Sequence, residues 1–233
     1  MYSPGRIKCL IVTILLSLIT PSHVLAANFT VAGVSLQKNV TPMREIKRQN
    51  IVSQSLDFSC GPAGLSTLLN YYLNEKVSEA EIIQTLLKTV PLEKVKARHG
   101  FSLLDLKNFA LSRGYKVTGY RMNEKFLREL KEPVLVPIKF KNYHHFVIIK
   151  GVSGDRVFIA DPSAGNMSMK IGKFLSMWTS GIGLVVEKDD RNQKPAKYAL
   201  QVNKKDIIIS DYQEIRRLTD ISTFRTTIHP GEF

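Results

Sequence analysis

Apolar residues recur at Leu65, Leu68, Leu69 and Tyr72, the three-and-four spacing of one helical face, and Pro62 falls where a first turn tolerates it. The pattern predicts a helix from Gly61 to Tyr72, with Cys60 at its N-terminus. Ser78 and Glu81 have capping-box spacing ahead of Ile82, Ile83, Leu86 and Leu87, which marks a second helix ending by Pro91. Ser102 caps a third through Leu103, Leu106, Phe109, Ala110 and Leu111, closed by Gly114.

The period then shortens to that of strands. Tyr115 to Tyr120, Val134 to Phe140, His145 to Lys150, Val157 to Ala160 and Ile182 to Glu187 read as strands, with a short helical piece from Glu124 to Leu130. Helices followed by a mostly antiparallel sheet predict an α+β domain over residues 49–187, its helices packed on one end or face of the sheet. Asn28 to Ile51 alternates weakly and turns basic at Arg44, Lys47 and Arg48, so residues 27–48 are expected to be an extended lead-in. Residues 188–233 read as a tail with a polar linker and short candidate strands at Tyr198 to Val202 and Ile207 to Ile209.

At 44% hydrophobic and 23% charged residues, with 14 glycines and 10 prolines in 233 residues, the chain is neither disordered nor collagenous. Its length suits one domain plus extra segments. Arg6 and Lys8 precede an apolar run from Cys9 to Ile19, then Pro21, Ser22 and a small-residue site ending at Ala26. The run is about half of the ~20 residues a membrane-spanning helix needs, so residues 1–26 are expected to be a removable secretory signal, leaving no membrane span and a periplasmic or otherwise exported protein. The net charge of +13 is dispersed, with no Lys/Arg block of the kind that marks a nucleic-acid arm, so no nucleic-acid partner is expected. Asn28-Phe29-Thr30 and Asn166-Met167-Ser168 match the glycosylation sequon, a pattern too short to carry weight.

Removal of the signal takes Cys9 with it and leaves Cys60 as a solitary thiol in an oxidising compartment. Such a cysteine is an intermolecular disulfide, a buried inert side chain or a reactive nucleophile. Its place at a helix start favours the thiolate, as a neighbouring imidazolium would. His99 and His229 lie beside Gly100 and Pro230 in polar surroundings and are expected to face solvent, whereas His144 and His145 open a strand. Alternation sends His145, Val147 and Ile149 to one face and His144, Phe146 and Ile148 to the other, so one of the pair faces the site.

Val152-Ser153-Gly154-Asp155 is a turn signal, and with Ser153 and Gly154 at its centre His145 falls within a residue or so of Asp161 across the hairpin. That carboxylate is expected to accept the His145 Nδ1–H and leave Nε2 toward the sulfur. An Asx-turn ending the strand is the alternative role for Asp161. Gln54, six residues before Cys60, is a candidate oxyanion donor together with the Cys60 backbone N–H.

Gln54, then Ser59-Cys60-Gly61-Pro62-Ala63, His145-Phe146-Val147 and Asp161-Pro162, in this order and spacing, resemble the peptidase C39 family. The resemblance covers residues 49–187 and implies a papain-like fold, cleavage of a peptide or protein substrate after a double-glycine leader, and catalysis by Cys60, His145 and Asp161 with Gln54 in the oxyanion hole. No cofactor and no metal are expected. Ser59 stands where many relatives have Asp. Most well-known members head a membrane exporter with an ATPase, whereas this sequence has no G-x-x-x-x-G-K-[ST] loop. Asp57 to Gly61 and Gly100 to Asp105 are similar to runs in stand-alone C39-like proteins of functional-amyloid secretion systems, which implies a periplasmic role beside outer-membrane secretion machinery. Two other readings share the fold: a module that escorts a glycine-containing segment without cutting it, and another papain-like amidase or acyltransferase. A metal site at Cys60, His145 and Asp161 lacks paired ligand spacing.

Overall fold

A computed structural model describes residues 26–31, 34–39, 41–140, 143–188, Val202 and Asp206. The expected signal segment lies outside these residues apart from Ala26. So do the candidate strand Ile207 to Ile209, all of Tyr198 to Val202 but its last residue, and His229.

The chain divides into two units, Met1–Met43 and Arg44–Phe233. In the first, β1 (Ala26–Val31) and β2 (Val34–Asn39) form an antiparallel hairpin with Phe29 opposite Leu36. The lead-in is not extended to its end. Met43–Arg48 is a helix, α1, with Glu45 in its first turn and Lys47 and Arg48 in its last, charges that suit the helix dipole.

The second unit continues with α2 (Cys60–Tyr71), α3 (Glu79–Leu86), α4 (Leu92–Ala97) and α5 (Leu103–Ser112). The two caps read from sequence are present. Ser78 accepts from the Glu81 N–H, and Ser102 and Asp105 bond reciprocally in a capping box. Gly114 follows α5 with φ of 83°. Helix α4 was not foreseen, because it turns a single apolar residue, Val95, inward.

Six antiparallel strands follow: β3 (Lys116–Arg121), β4 (Val134–Phe140), β5 (Tyr143–Ser153), β6 (Arg156–Asp161), β7 (Gly165–Lys170) and β8 (Ile182–Glu187), in the order β3-β8-β4-β5-β6-β7. Two short helices interrupt them, α6 (Glu124–Arg128) and α7 (Ile171–Met177). Strand β5 is buried continuously from His145 to Gly151. Both of its faces are covered, which explains the unbroken apolar run. Phe146 and Ile148 join Leu65, Leu68 and Leu106 of the α2 to α5 layer, while Val147 and Ile149 join Leu127, Phe174 and Trp178 on the other face. The helical layer therefore lies on one face as expected, and α6 and α7 close the other. Trp178 is core, with its indole N–H on the Ile182 carbonyl.

Candidate active site

Helix α2 carries Cys60 at its first position, where the backbone N–H has no intrahelical acceptor. The turn that feeds it is closed by Ser59, whose hydroxyl accepts the Leu56 N–H at 3.0 Å and donates to the Leu56 carbonyl at 2.7 Å. Behind the sulfur the helix packs tightly. A Cβ on Gly61 would come within 3.0 Å of Leu106 Cδ1 and 3.2 Å of Phe146 Cδ2, so the absence of a side chain lets α5 and β5 approach the first turn. Cys60 is 2% exposed.

His145 enters from β5, and the Cys60 side chain acts on its ring. Its Nε2 lies 2.8 Å from Asp161 Oδ1 at the end of β6. The sequence thus brings the three groups together, with two corrections. The hairpin pairs Ser153 with Arg156, so Gly154 and Asp155 are its central residues, one position later than expected. A register shift between Ile149 and Gly151 then moves the partners again. The ring is also reversed: Nε2 rather than Nδ1 meets the carboxylate, which leaves Nδ1 for the sulfur.

Asp161 meets His145 and also forms the strand-ending turn. The same Oδ1 that faces His145 accepts from the Ser163 N–H at 2.7 Å, the Ser163 hydroxyl at 2.7 Å and the Ala164 N–H at 3.1 Å, so a strand-ending turn holds the carboxylate in place. Burial works against ionisation of Asp161, but the hydrogen bond and charge of His145, then the Ser163 bonds, outweigh it and hold its pKa below the usual value. Burial likewise pulls His145 down. Hydrogen bonds to Asp161 and Cys60 and their negative charges prevail, and its pKa stands at about 9.

Gln54 reaches the same place. Its backbone N–H donates to the Pro162 carbonyl at 3.0 Å, beside Asp161. Its Nε2 donates one hydrogen to the Leu56 carbonyl at 3.0 Å, and Oε1 is buried without a hydrogen-bond partner. An amide nitrogen has two donors, so one remains for the cleft.

Gln54, His145 and Asp161 border a largely apolar cavity of about 450 Å³ that Ile138, Val147, Ile159, Met167, Met169 and Met177 line, with Lys173 also on its wall. The methionines come from β7 and α7. Neither element was foreseen, because Gly165 to Lys170 alternates polar residues with methionine rather than branched apolar residues. Tyr143 was also missed. It lies two residues before His145, its ring centroid 6.2 Å from the imidazole, and its hydroxyl donates to the Asp57 carbonyl, tying β5 to the loop before Cys60. Burial first, then the charges of Cys60 and Asp57, push its pKa up. The period of a strand places it on the His145 face and was the available signal.

His99 is exposed, as expected, and so is His144. Among the described residues no three His, Cys, Asp or Glu side chains are arranged to hold a metal ion, and no helix is long and apolar enough to cross a membrane.

Comparison with known proteins shows the family. The model of the peptidase C39 family matches residues 48–191. "Probable functional amyloid protease FapD" of Pseudomonas aeruginosa is 31% identical over 181 residues, 78% of this chain and 80% of that one. The protein of the same name in Pseudomonas fluorescens is 36% identical over 148 residues, 63% of this chain and 64% of its own. The crystal structure of the peptidase domain of Streptococcus ComA, a bifunctional ABC transporter involved in a quorum-sensing pathway, superposes with a TM-score of 0.51 at 22% identity, over 60% of this chain and 98% of that domain, which shows a shared fold.

Proposed function

Because the chain belongs to the peptidase C39 family, and is accordingly a cysteine peptidase, we propose that Cys60, His145, Asp161 and Gln54 are its catalytic set and that it cuts an exported client after a double-glycine-type site. The observation that carries the assignment is the 2.8 Å hydrogen bond between His145 and Asp161, with Cys60 acting on the same ring.

The chemistry follows from the positions. With a pKa of about 9, His145 is protonated at neutral pH and sets a positive charge beside the Cys60 sulfur. Cys60 Sγ attacks the substrate carbonyl carbon and a C–S bond forms. The oxyanion takes hydrogen bonds from the Cys60 backbone N–H and the second Nε2 hydrogen of Gln54. His145 gives its Nδ1 proton to the departing amine as the C–N bond breaks, which leaves a thioester. Water then attacks the thioester, losing its proton to His145, and the C–S bond breaks to release a carboxylate and Cys60. Asp161 stays ionised throughout and stabilises the imidazolium.

The apolar cavity beside His145 suits large apolar side chains of the client near the cut. The names of the FapD relatives support a client that is an amyloid subunit or its secretion partner. Export by the N-terminal apolar run would bring peptidase and client into one compartment, and N-terminal sequencing of the periplasmic protein checks it, with Ala27 as the expected first residue.

The direct test uses a synthetic peptide with an apolar segment followed by Gly-Gly, and its Ala-Ala counterpart. The purified chain should cleave the first after the second glycine and leave the second intact, and Cys60→Ala should cleave neither. Cleavage by Cys60→Ala would overturn the nucleophile, and equal cutting of both peptides would overturn the glycine requirement.

A further inference from the structure

The ammonium group of Lys150 is buried in the sheet, its side chain 3% exposed, and its partner lies far along the chain. Nζ donates to Asp206 Oδ1 at 2.7 Å and to Asn166 Oδ1 at 3.2 Å. Lys150 is the extra residue where the β5 to β6 register shifts between Ile149 and Gly151, and such a bulge re-aims a side chain. The next residue makes a second contact with the same distant segment. A Cβ on Gly151 would lie 3.2 Å from Val202 Cγ2, so Val202 rests on the bare backbone of β5.

Asn166 passes the connection on. Its Nδ2 donates to the Lys47 carbonyl at 3.1 Å and the Gln49 carbonyl at 2.8 Å, which commits both hydrogens of its amide. Beside it the two backbones nearly touch: a Cβ on Gly165 would come 2.6 Å from the Lys47 carbonyl oxygen. The stretch held in this way leads directly into the loop that carries Gln54.

We propose that Asp206 is a positioning residue of the peptidase. It completes a buried Asp206–Lys150–Asn166 brace that holds backbone 47–49 and, through it, the Gln54 loop. The working unit therefore extends past residue 191, where the family match ends. The catalytic consequence rests on the oxyanion role proposed above for Gln54; the brace itself does not. Loss of the counter-ion would leave a buried ammonium unpaired, a strongly unfavourable state that the relay relieves by loosening.

The test compares the full chain with Asp206→Asn, with the apolar pair Lys150→Met/Asp206→Leu, and with Gln54→Ala, by hydrogen exchange, thermal unfolding and cleavage of the Gly-Gly peptide. Asp206→Asn should speed exchange of amides 49–54 about tenfold, with the α2 amides unchanged, and should lower kcat about tenfold with KM within about twofold. The apolar pair buries no charge, so it should restore the melting temperature while exchange at 49–54 stays fast, because Asn166 still lacks its donor. Should Asp206→Asn fail to fold, the apolar pair decides alone. Native exchange at 49–54 in either variant overturns the brace. Fast exchange there, together with undiminished cleavage by Gln54→Ala, supports the brace and overturns the oxyanion role.

Discussion

His145 stands between a thiol and a carboxylate, with Nε2 on Asp161 and Nδ1 left for Cys60, and the two neighbours together raise its pKa to about 9. The leaving amine needs the protonated ring, so kcat/KM for the Gly-Gly peptide should hold through neutral pH and fall near pH 9. In Asp161→Asn the hydrogen bond and charge that do most to raise the pKa are weakened or lost, and the basic limb should move down toward pH 6.5. Gln54 is held by its backbone on Pro162 and by one amide hydrogen on Leu56, so Gln54→Ala should leave the fold intact and lower kcat about 10²-fold, the usual loss on removing one oxyanion donor. The residue pattern named Cys60, His145, Asp161 and Gln54 because each has a chemical reason to occur at its place. It named the wrong ring nitrogen for Asp161, because which nitrogen meets the carboxylate is a matter of packing rather than residue type.

Among the elements, the close approaches fix what each helix and strand tolerates. Gly165 combines φ of 87° with a backbone carbonyl 2.6 Å from its missing Cβ, so neither partner can yield by rotating a side chain. Gly165→Ala should cost about 3 kcal/mol in denaturant unfolding, whereas Gly61→Ala, whose neighbours are the ends of Leu106 and Phe146, should cost about 1 to 2 kcal/mol. Ser102→Ala removes one half of a capping box and should cost about 1 kcal/mol. Elements with such chemistry were legible: α3 and α5 from their caps, α2 from its apolar face, β4 and β8 from segments rich in branched apolar residues. Those missed lack it. Helix α4 buries only Val95, and α1 buries nothing, so their periods carry no apolar stripe. Strand β7 spends Asn166 and Ser168 on buried polar contacts and gives methionines to the cavity, a pattern that resembles a loop when read as residues alone.

For the molecule as a whole, the buried dyad links stability to pH. His145 has a folded pKa near 9 against an ordinary 6.5, so its contribution is complete below pH 6.5 and is lost as pH rises through about 9. Asp161 is shifted the other way. Its contribution is complete above its ordinary 3.8 and is lost as pH falls through the lowered value. The pair should therefore stabilise most between about pH 4 and 6.5, and the denaturation midpoint of the native chain should decline from pH 6.5 to 9 more steeply than that of Asp161→Asn. The two covered faces of the sheet were only half legible from sequence. The continuous apolar run in β5 announces burial on both sides, but α7, which covers the second face, keeps only Ile171 and Phe174 buried.

The account depends on Cys60, His145 and Asp161 acting as one electrostatic unit, and the titration of the His145 imidazole by NMR reads this without any substrate. The full chain should show a midpoint at about pH 9, and Cys60→Ala, which removes the sulfur's hydrogen bond and charge, should lower it. A midpoint near the ordinary 6.5, unchanged in Cys60→Ala, would contradict the account.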